Sequence, residues 1–393
     1  MDKIEETLEF IASSISKCKL NNIGLLSGLS GLALFELAYG TFYNKKYISV
    51  GLSFIEKVFT LINKQTQANF CAGISGVAWT LNYIKNKNWN YIANIDSTLD
   101  ILDKYIYMHI SHYLKANYFD FLYGYIGIGH YLVERISSNP QASKIIDLII
   151  NKLKETAIHK DGKIKWLSRA PNFQSDIINI SLSHGMSSII IFLSNIYQLK
   201  HRQECILPLI KGAVKYIISQ EINYQLYNSF FPSLSLESSH KLTGSRLGWC
   251  YGDLGICFAL LKAGNVTNNP IWQNKALTIL EYEANNRREL KSSLVYDACF
   301  CHGSIGIAHI YFRLWFITQK ICFKQAADYW YTISMNINKK SNSASAGYSF
   351  FLNESIKTSE DYSILNGISG IGLSLLFYKK SMPPDFDKCL MLS

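Results

Sequence analysis

The sequence predicts an all-α fold, an α/α toroid of seven inner and seven outer helices closed into one domain over residues 1–393. Three features predict it: a glycine phrase that recurs seven times, an apolar run after each phrase, and amphipathic helical segments between them. The phrase is a polar or small residue, Gly, two residues, a second Gly, then the apolar run. In order, the seven first glycines are Gly28, Gly73, Gly124, Gly185, Gly252, Gly303 and Gly367, spaced 45, 51, 61, 67, 51 and 64 residues apart. Each interval is long enough for two helices and their connections. The fourth phrase carries Ser188 where the others have their second glycine.

The first segment, "DKIEETLEFIASSISKCKL", places Ile4, Leu8, Ile11, Ile15 and Cys18 at steps of three and four, the inward face of an outer helix. Runs such as "GICFALLKAG" and "GISGIGLSLLFYKK" are apolar nearly all round, which suits inner helices covered on every side. Glycine at the inner-helix start permits unusual backbone angles and close approach of neighbouring turns. The first and last repeats are as apolar as the central ones, which favours ring closure over an open solenoid with polar caps. Strand signals are thin; "FFPSLSL" (230–236) is a stretch that could pair locally.

Composition bounds the function. The 393 residues, 48% hydrophobic, supply ample core. An acidic amino terminus and the absence of a long uninterrupted apolar stretch predict an intracellular, cytoplasmic protein without a transmembrane segment. Nine cysteines without a secretion signal argue for thiols or metal ligands rather than a disulfide framework. The net charge of +10 favours an acidic partner, but its lysines are scattered and no nucleic-acid motif accompanies them, so no nucleic-acid partner is expected.

Chemistry falls on some of the turns only: Asp120 four residues before Gly124, His184 before Gly185, Cys250 two before Gly252, and Cys301 with His302 before Gly303. The toroid would gather these turns at one end. Two cysteines and a histidine suit Zn(II) and leave one tetrahedral position open, the mark of a catalytic ion. Cysteines at inner-helix amino termini should bind as thiolates. Two thiolate ligands weaken Lewis acidity and suit activation of an incoming thiol better than of water. Cys257 reads as core and Cys299 as a weaker rival ligand; Trp249, Arg246 and Tyr251 flank the metal loop as an aromatic wall or as groups that orient substrate.

The order Asp120, "SHG", "SRLGWCYG", "CHG" on a seven-fold glycine repeat resembles the lanthionine synthetase C-like family, the cyclases of lanthipeptide biosynthesis, over essentially the whole chain. The resemblance implies one zinc ion on Cys250, Cys301 and His302, with His184 and Asp120 as acid/base groups and Arg246 and Tyr251 beside them. It implies thioether formation: a peptide cysteine adds to dehydroalanine or dehydrobutyrine in a dehydrated precursor peptide. A separate dehydratase is the implied partner, with an exporter and peripheral membrane association through a complex as further expectations. No interval exceeds 67 residues, so no inserted SH2-like domain is expected. Three rivals remain in view: a relative that adds glutathione to dehydrated residues, a noncatalytic scaffold, and a toroidal glycosidase using Asp120 with Asp253.

Overall fold

Each glycine phrase opens directly into a helix, with its first glycine at the N-cap. In the computed structural model, which describes residues 3–168, 177–238, 241–337, 345–351 and 358–393, the chain groups into two compact units. They are Met1–Tyr105 with Val295–Ser393, and Ile106–Leu294.

The first unit starts with α1 (Lys3–Ile15), α2 (Leu29–Phe42), α3 (Lys46–Leu61) and α4 (Ile74–Asn86); the boundary falls within α5 (Ile95–Lys115). The second unit has α6 (Tyr125–Arg135), α7 (Pro140–Thr156), β1 (Ile158–Lys160), β2 (Lys163–Lys165), α8 (Met186–Gln198) and α9 (Gln203–Ile218). It ends with α10 (Tyr224–Tyr227), α11 (Asp253–Val266), α12 (Pro270–Asn286) and α13 (Leu290–Ser293). The first unit resumes with α14 (Ser304–Thr318), α15 (Ile321–Ser334), β3 (Phe350–Phe351), β4 (Thr358–Ser359), α16 (Ile368–Lys379) and a 3-10 turn, Asp385–Leu390.

The two kinds of helix are as the apolar pattern predicts. Every residue from Ser304 to Phe312 in α14 and from Ile368 to Phe377 in α16 is buried. By contrast α7 buries Ala142, Ile145, Ile146, Ile149, Ile150 and Leu153, a single stripe. In α1, Leu8, Ile11 and Ile15 are fully buried, but the helix stops at Ile15, so Cys18 lies beyond its face. Covered and striped helices pack in pairs: α2 on α3 and α14 on α15 in the first unit, α6 on α7, α8 on α9 and α11 on α12 in the second. Within the first unit, α16 also packs on α1 and α2, so the last repeat lies against the first.

The turns other than the one at Gly252 share one construction. The N–H after the glycine bonds a carbonyl seven residues back, as in Leu29 N to Asn22 O (2.7 Å), Tyr125 N to Tyr118 O (2.9 Å) and Met186 N to Asn179 O (2.9 Å). This satisfies an otherwise orphaned helix-start donor. It also brings that carbonyl so close that a Cβ on Gly28 would meet Asn22 O at 2.2 Å, which is why glycine stands there. Neighbouring turns are joined by backbone bonds at the position two before the glycine. In the first unit these run Cys301 N to Leu365 O, Leu365 N to Leu26 O and Leu26 N to Cys71 O; in the second, Ser183 N bonds Cys250 O.

The strands differ from expectation. Among the described residues they form two short antiparallel pairs, β1–β2 with Ile158 opposite Lys165, and β3–β4 with Phe350 opposite Ser359, whereas 230–236 contributes one bridge, Pro232 to Gly244. Among the described residues no helix is long and apolar enough to cross a membrane.

Candidate active site

In the second unit an Asn or Asp braces the turns at Gly124 and Gly185 before the chemistry is added. Asn179 Oδ1 accepts from Ser181 N (2.9 Å), and Ser181 Oγ accepts from His184 N (3.2 Å). Asp120 Oδ1 accepts from Tyr123 N (2.8 Å), just as Asn69 Oδ1 accepts from Ala72 N (2.9 Å) in the first unit. Asn69 serves its turn alone, whereas Asp120 has a second oxygen free of the brace. That oxygen, Oδ2, meets His184 Nδ1 at 2.5 Å. Asp120 is 5% exposed, while the His184 side chain is 34% exposed. The carboxylate is thus a buried partner and the imidazole the accessible group.

Burial alone would lower the His184 pKa, but the hydrogen bond to the Asp120 carboxylate, its charge and the nearby Cys250 outweigh it and raise the value above 6.5. The pair therefore stabilises the fold fully below pH 6.5 and loses that contribution as pH rises through the raised value. A proton NMR titration of the His184 ring should show a midpoint above 6.5, and Asp120→Asn should shift it downward. An unchanged midpoint would mean that the pair does not control the imidazole.

Cys250 is buried, and its carbonyl accepts from Leu182 N (3.1 Å) and Ser183 N (3.3 Å), so this turn is fastened to the backbone just before His184. Tyr251 has its ring 6.2 Å from the His184 ring and accepts from Asn179 Nδ2 at 3.1 Å. Burial holds its hydroxyl above the ordinary tyrosine value, so it remains protonated. Arg246 is half-buried on the strand of chain leading to Cys250. Trp249, fully buried, packs on Phe121 and is wall rather than reactive surface.

In the first unit Cys301 and His302 are half-buried, with the Cys301 Sγ and a His302 ring nitrogen within 4.8 Å, a separation two ligands of one ion can take. Asp297 and Cys299 also approach His302 within 4.8 Å. Asp297 is already committed: its two oxygens accept from Cys299 N (2.9 Å) and Phe351 N (3.0 Å). Cys257, in the second unit, is fully buried, and burial pushes its thiol well above the ordinary range, as a core residue requires.

Asp253 is not available as a glycosidase acid. It is 0% exposed, and its oxygens accept from Phe230 N (2.9 Å) and Phe231 N (2.8 Å). Asn179 and Ser181 escaped sequence reasoning; the available signal was the Asn or Asp six residues before the glycine, present at Asn22, Asn179, Asp297 and Asp361.

A helical glycine repeat that carries cysteine, histidine and an Asp–His pair on its turns defines a class of all-α protein equipped for thiol and proton chemistry. Residues 19–391 match the family described as lanthionine synthetase C-like protein, and the chain belongs to that family. It is 21% identical over 259 residues to the nisin biosynthesis protein NisC of Lactococcus lactis subsp. lactis, a match covering 61% of this chain and 60% of that relative, less than two thirds of its length. The structure of nisin cyclase superposes with a TM-score of 0.80 at 19% identity, covering 100% of this chain and 98% of that one. The fold is thus the all-α class of the predicted toroid.

Proposed function

We propose that this chain is a zinc-dependent lanthipeptide cyclase that closes lanthionine and methyllanthionine rings in a dehydrated precursor peptide, acting as one domain over residues 1–393. Cys250, Cys301 and His302 would hold a single zinc ion. The donor set fits: two thiols and an imidazole, each cysteine two residues before a helix-opening glycine. When bound, zinc would keep a peptide cysteine ionised and nucleophilic at neutral pH.

The 2.5 Å contact between His184 and Asp120 carries the reading. As the sulfur–carbon bond forms at the β-carbon of dehydroalanine or dehydrobutyrine, the double-bond electron pair moves onto the α-carbon and its carbonyl. His184, its Nδ1 proton held by Asp120, gives its Nε2 proton to the α-carbon. Asp120 then stabilises the ring and orients it for reprotonation. Arg246 and Tyr251 orient the peptide and donate to the developing negative oxygen. The dehydrated residues require a separate dehydratase upstream, and we place the protein in the cytoplasm with that enzyme and an exporter as complex partners.

The test is mass spectrometry of a dehydrated cognate peptide after thiol alkylation. With the protein, peptide mass should stay unchanged and the cysteines should resist alkylation; without it, each cysteine should gain the label. Fully alkylatable cysteines in both samples would overturn the reading. The Cys250→Ala protein should purify with a small fraction of the wild-type zinc by elemental analysis and lack cyclisation. A zinc content equal to wild type would remove Cys250 from the ligand set.

A further inference from the structure

The fifth turn breaks the rule of the others. Four turns place Asn or Asp six residues before the glycine and two place it four before, at Asn69 and Asp120; this one has Arg246 and Gly248 at those positions, so the side chain that elsewhere closes the turn is not there. Its glycine, Gly252, also takes φ +101°, unlike the extended N-cap glycines of the other six turns.

A buried ionic cluster lies behind it. Arg287, 2% exposed, donates from Nη2 to Ser245 O (2.6 Å) and from Nε to Ser292 O (3.1 Å). Its Nη1 is 3.6 Å from both Asp253 Oδ2 and Glu283 Oε1. Asp253 and Glu283 are each 0% exposed. Burial raises both carboxyls, and Asp253 beside it helps push Glu283 up to about 10; Asp253, whose oxygens accept from Phe230 N and Phe231 N and face Arg287, is the one that carries the negative charge. The segment gripped is short: Ser245 N donates to Ser229 Oγ (2.9 Å), Ser245 O accepts from Arg287, and Leu247 N donates to Ser293 O (3.0 Å). Arg246 sits between these anchors, and its carbonyl presses on Gly252, two residues past Cys250.

We propose that Arg287 is a positioning residue that replaces the missing turn brace from outside, fixing the backbone that presents Arg246 and Cys250. A guanidinium suits the task because its planar fork reaches two carbonyls at once while facing a carboxylate. Burying a charge is costly, and an apolar side chain could fill the same space without directing a carbonyl. The inference rests on the zinc reading of Cys250. Residues that orient ligands without touching the ion typically change metal affinity about 10- to 100-fold when lost.

The experiment is a cobalt(II) titration of the full chain, read by the thiolate-to-cobalt absorption band. Arg287→Met would leave Asp253 buried without its cation, so Arg287→Met/Asp253→Asn is the variant measured, against Asp253→Asn alone because Asn keeps only one of the two acceptors that serve Phe230 N and Phe231 N, with Arg287→Lys beside it. The double variant should unfold cooperatively yet bind cobalt about 10- to 100-fold more weakly than Asp253→Asn, and Arg287→Lys, which keeps one donor, should fall between the double variant and wild type. Cobalt affinity in the folded double variant equal to that of Asp253→Asn would overturn the proposal alone. A wild-type protein with no thiolate band would overturn the zinc reading and this inference with it. Should the double variant fail to fold, wild-type affinity in Arg287→Lys would likewise overturn the proposal.

Discussion

The His184→Asn protein should keep its zinc and lose about 10²- to 10⁴-fold in cyclisation rate, the range a positioned acid or base contributes. Asparagine is the discriminating choice. Its amide nitrogen takes the place of Nδ1 and can still donate to Asp120 Oδ2, so the 2.5 Å contact and the turn behind it survive. What is lost is Nε2, the nitrogen that exchanges a proton with the substrate. Zinc stoichiometry by elemental analysis and single-turnover cyclisation of a dehydrated peptide separate the two effects. Because Asp120 raises the His184 pKa above 6.5, the acid form extends toward neutral pH, and the wild-type rate should decline as pH climbs through that raised value. Full activity in His184→Asn would pass the proton to Asp120 or to water.

Much of this arrangement is legible in the sequence because glycine is demanded by geometry. The recurring phrase marks places where a carbonyl from earlier in the turn occupies the space of a Cβ, so spacing alone locates seven helix starts. The same register locates chemistry: Cys250 and Cys301 occupy one position of the phrase, His184 and His302 the next. What stays hidden is whatever depends on which atoms meet. The bond from Arg287 to Ser245 spans 42 residues and that from Asn179 to Tyr251 spans 72, and neither has a local periodicity to betray it. Asp253 looks like a catalytic acid in the linear chain because it borders the metal loop. Only the fold shows its two oxygens spent on Phe230 and Phe231. The hairpin strands β1 and β2, three residues each, are too short for alternation to register.

Gly252→Ala should be the most damaging single-methyl change in the second unit, costing on the order of 3–5 kcal/mol of stability, with impaired metal retention. Two penalties combine. At φ +101° an L side chain is strained whatever space surrounds it, and the new Cβ would lie 2.0 Å from Arg246 O and 2.9 Å from Ser245 Oγ. The first neighbour is backbone and cannot rotate away. It belongs to the segment fastened through Ser229, Arg287 and Ser293, so relief requires breaking at least one of those bonds. Gly162 supplies the comparison. Its φ is also positive, at +70°, but a Cβ there would meet only the mobile end of Lys215, at 2.9 Å. Gly162→Ala therefore isolates backbone strain, about 1–2 kcal/mol. Urea unfolding of the two variants measures the difference directly. If Gly252→Ala costs no more than Gly162→Ala, the Arg246 carbonyl yields, and the turn that presents Cys250 is not held as described; a gap of 2 kcal/mol or more, on the order expected from the added clash, identifies the pinned carbonyl as its cause.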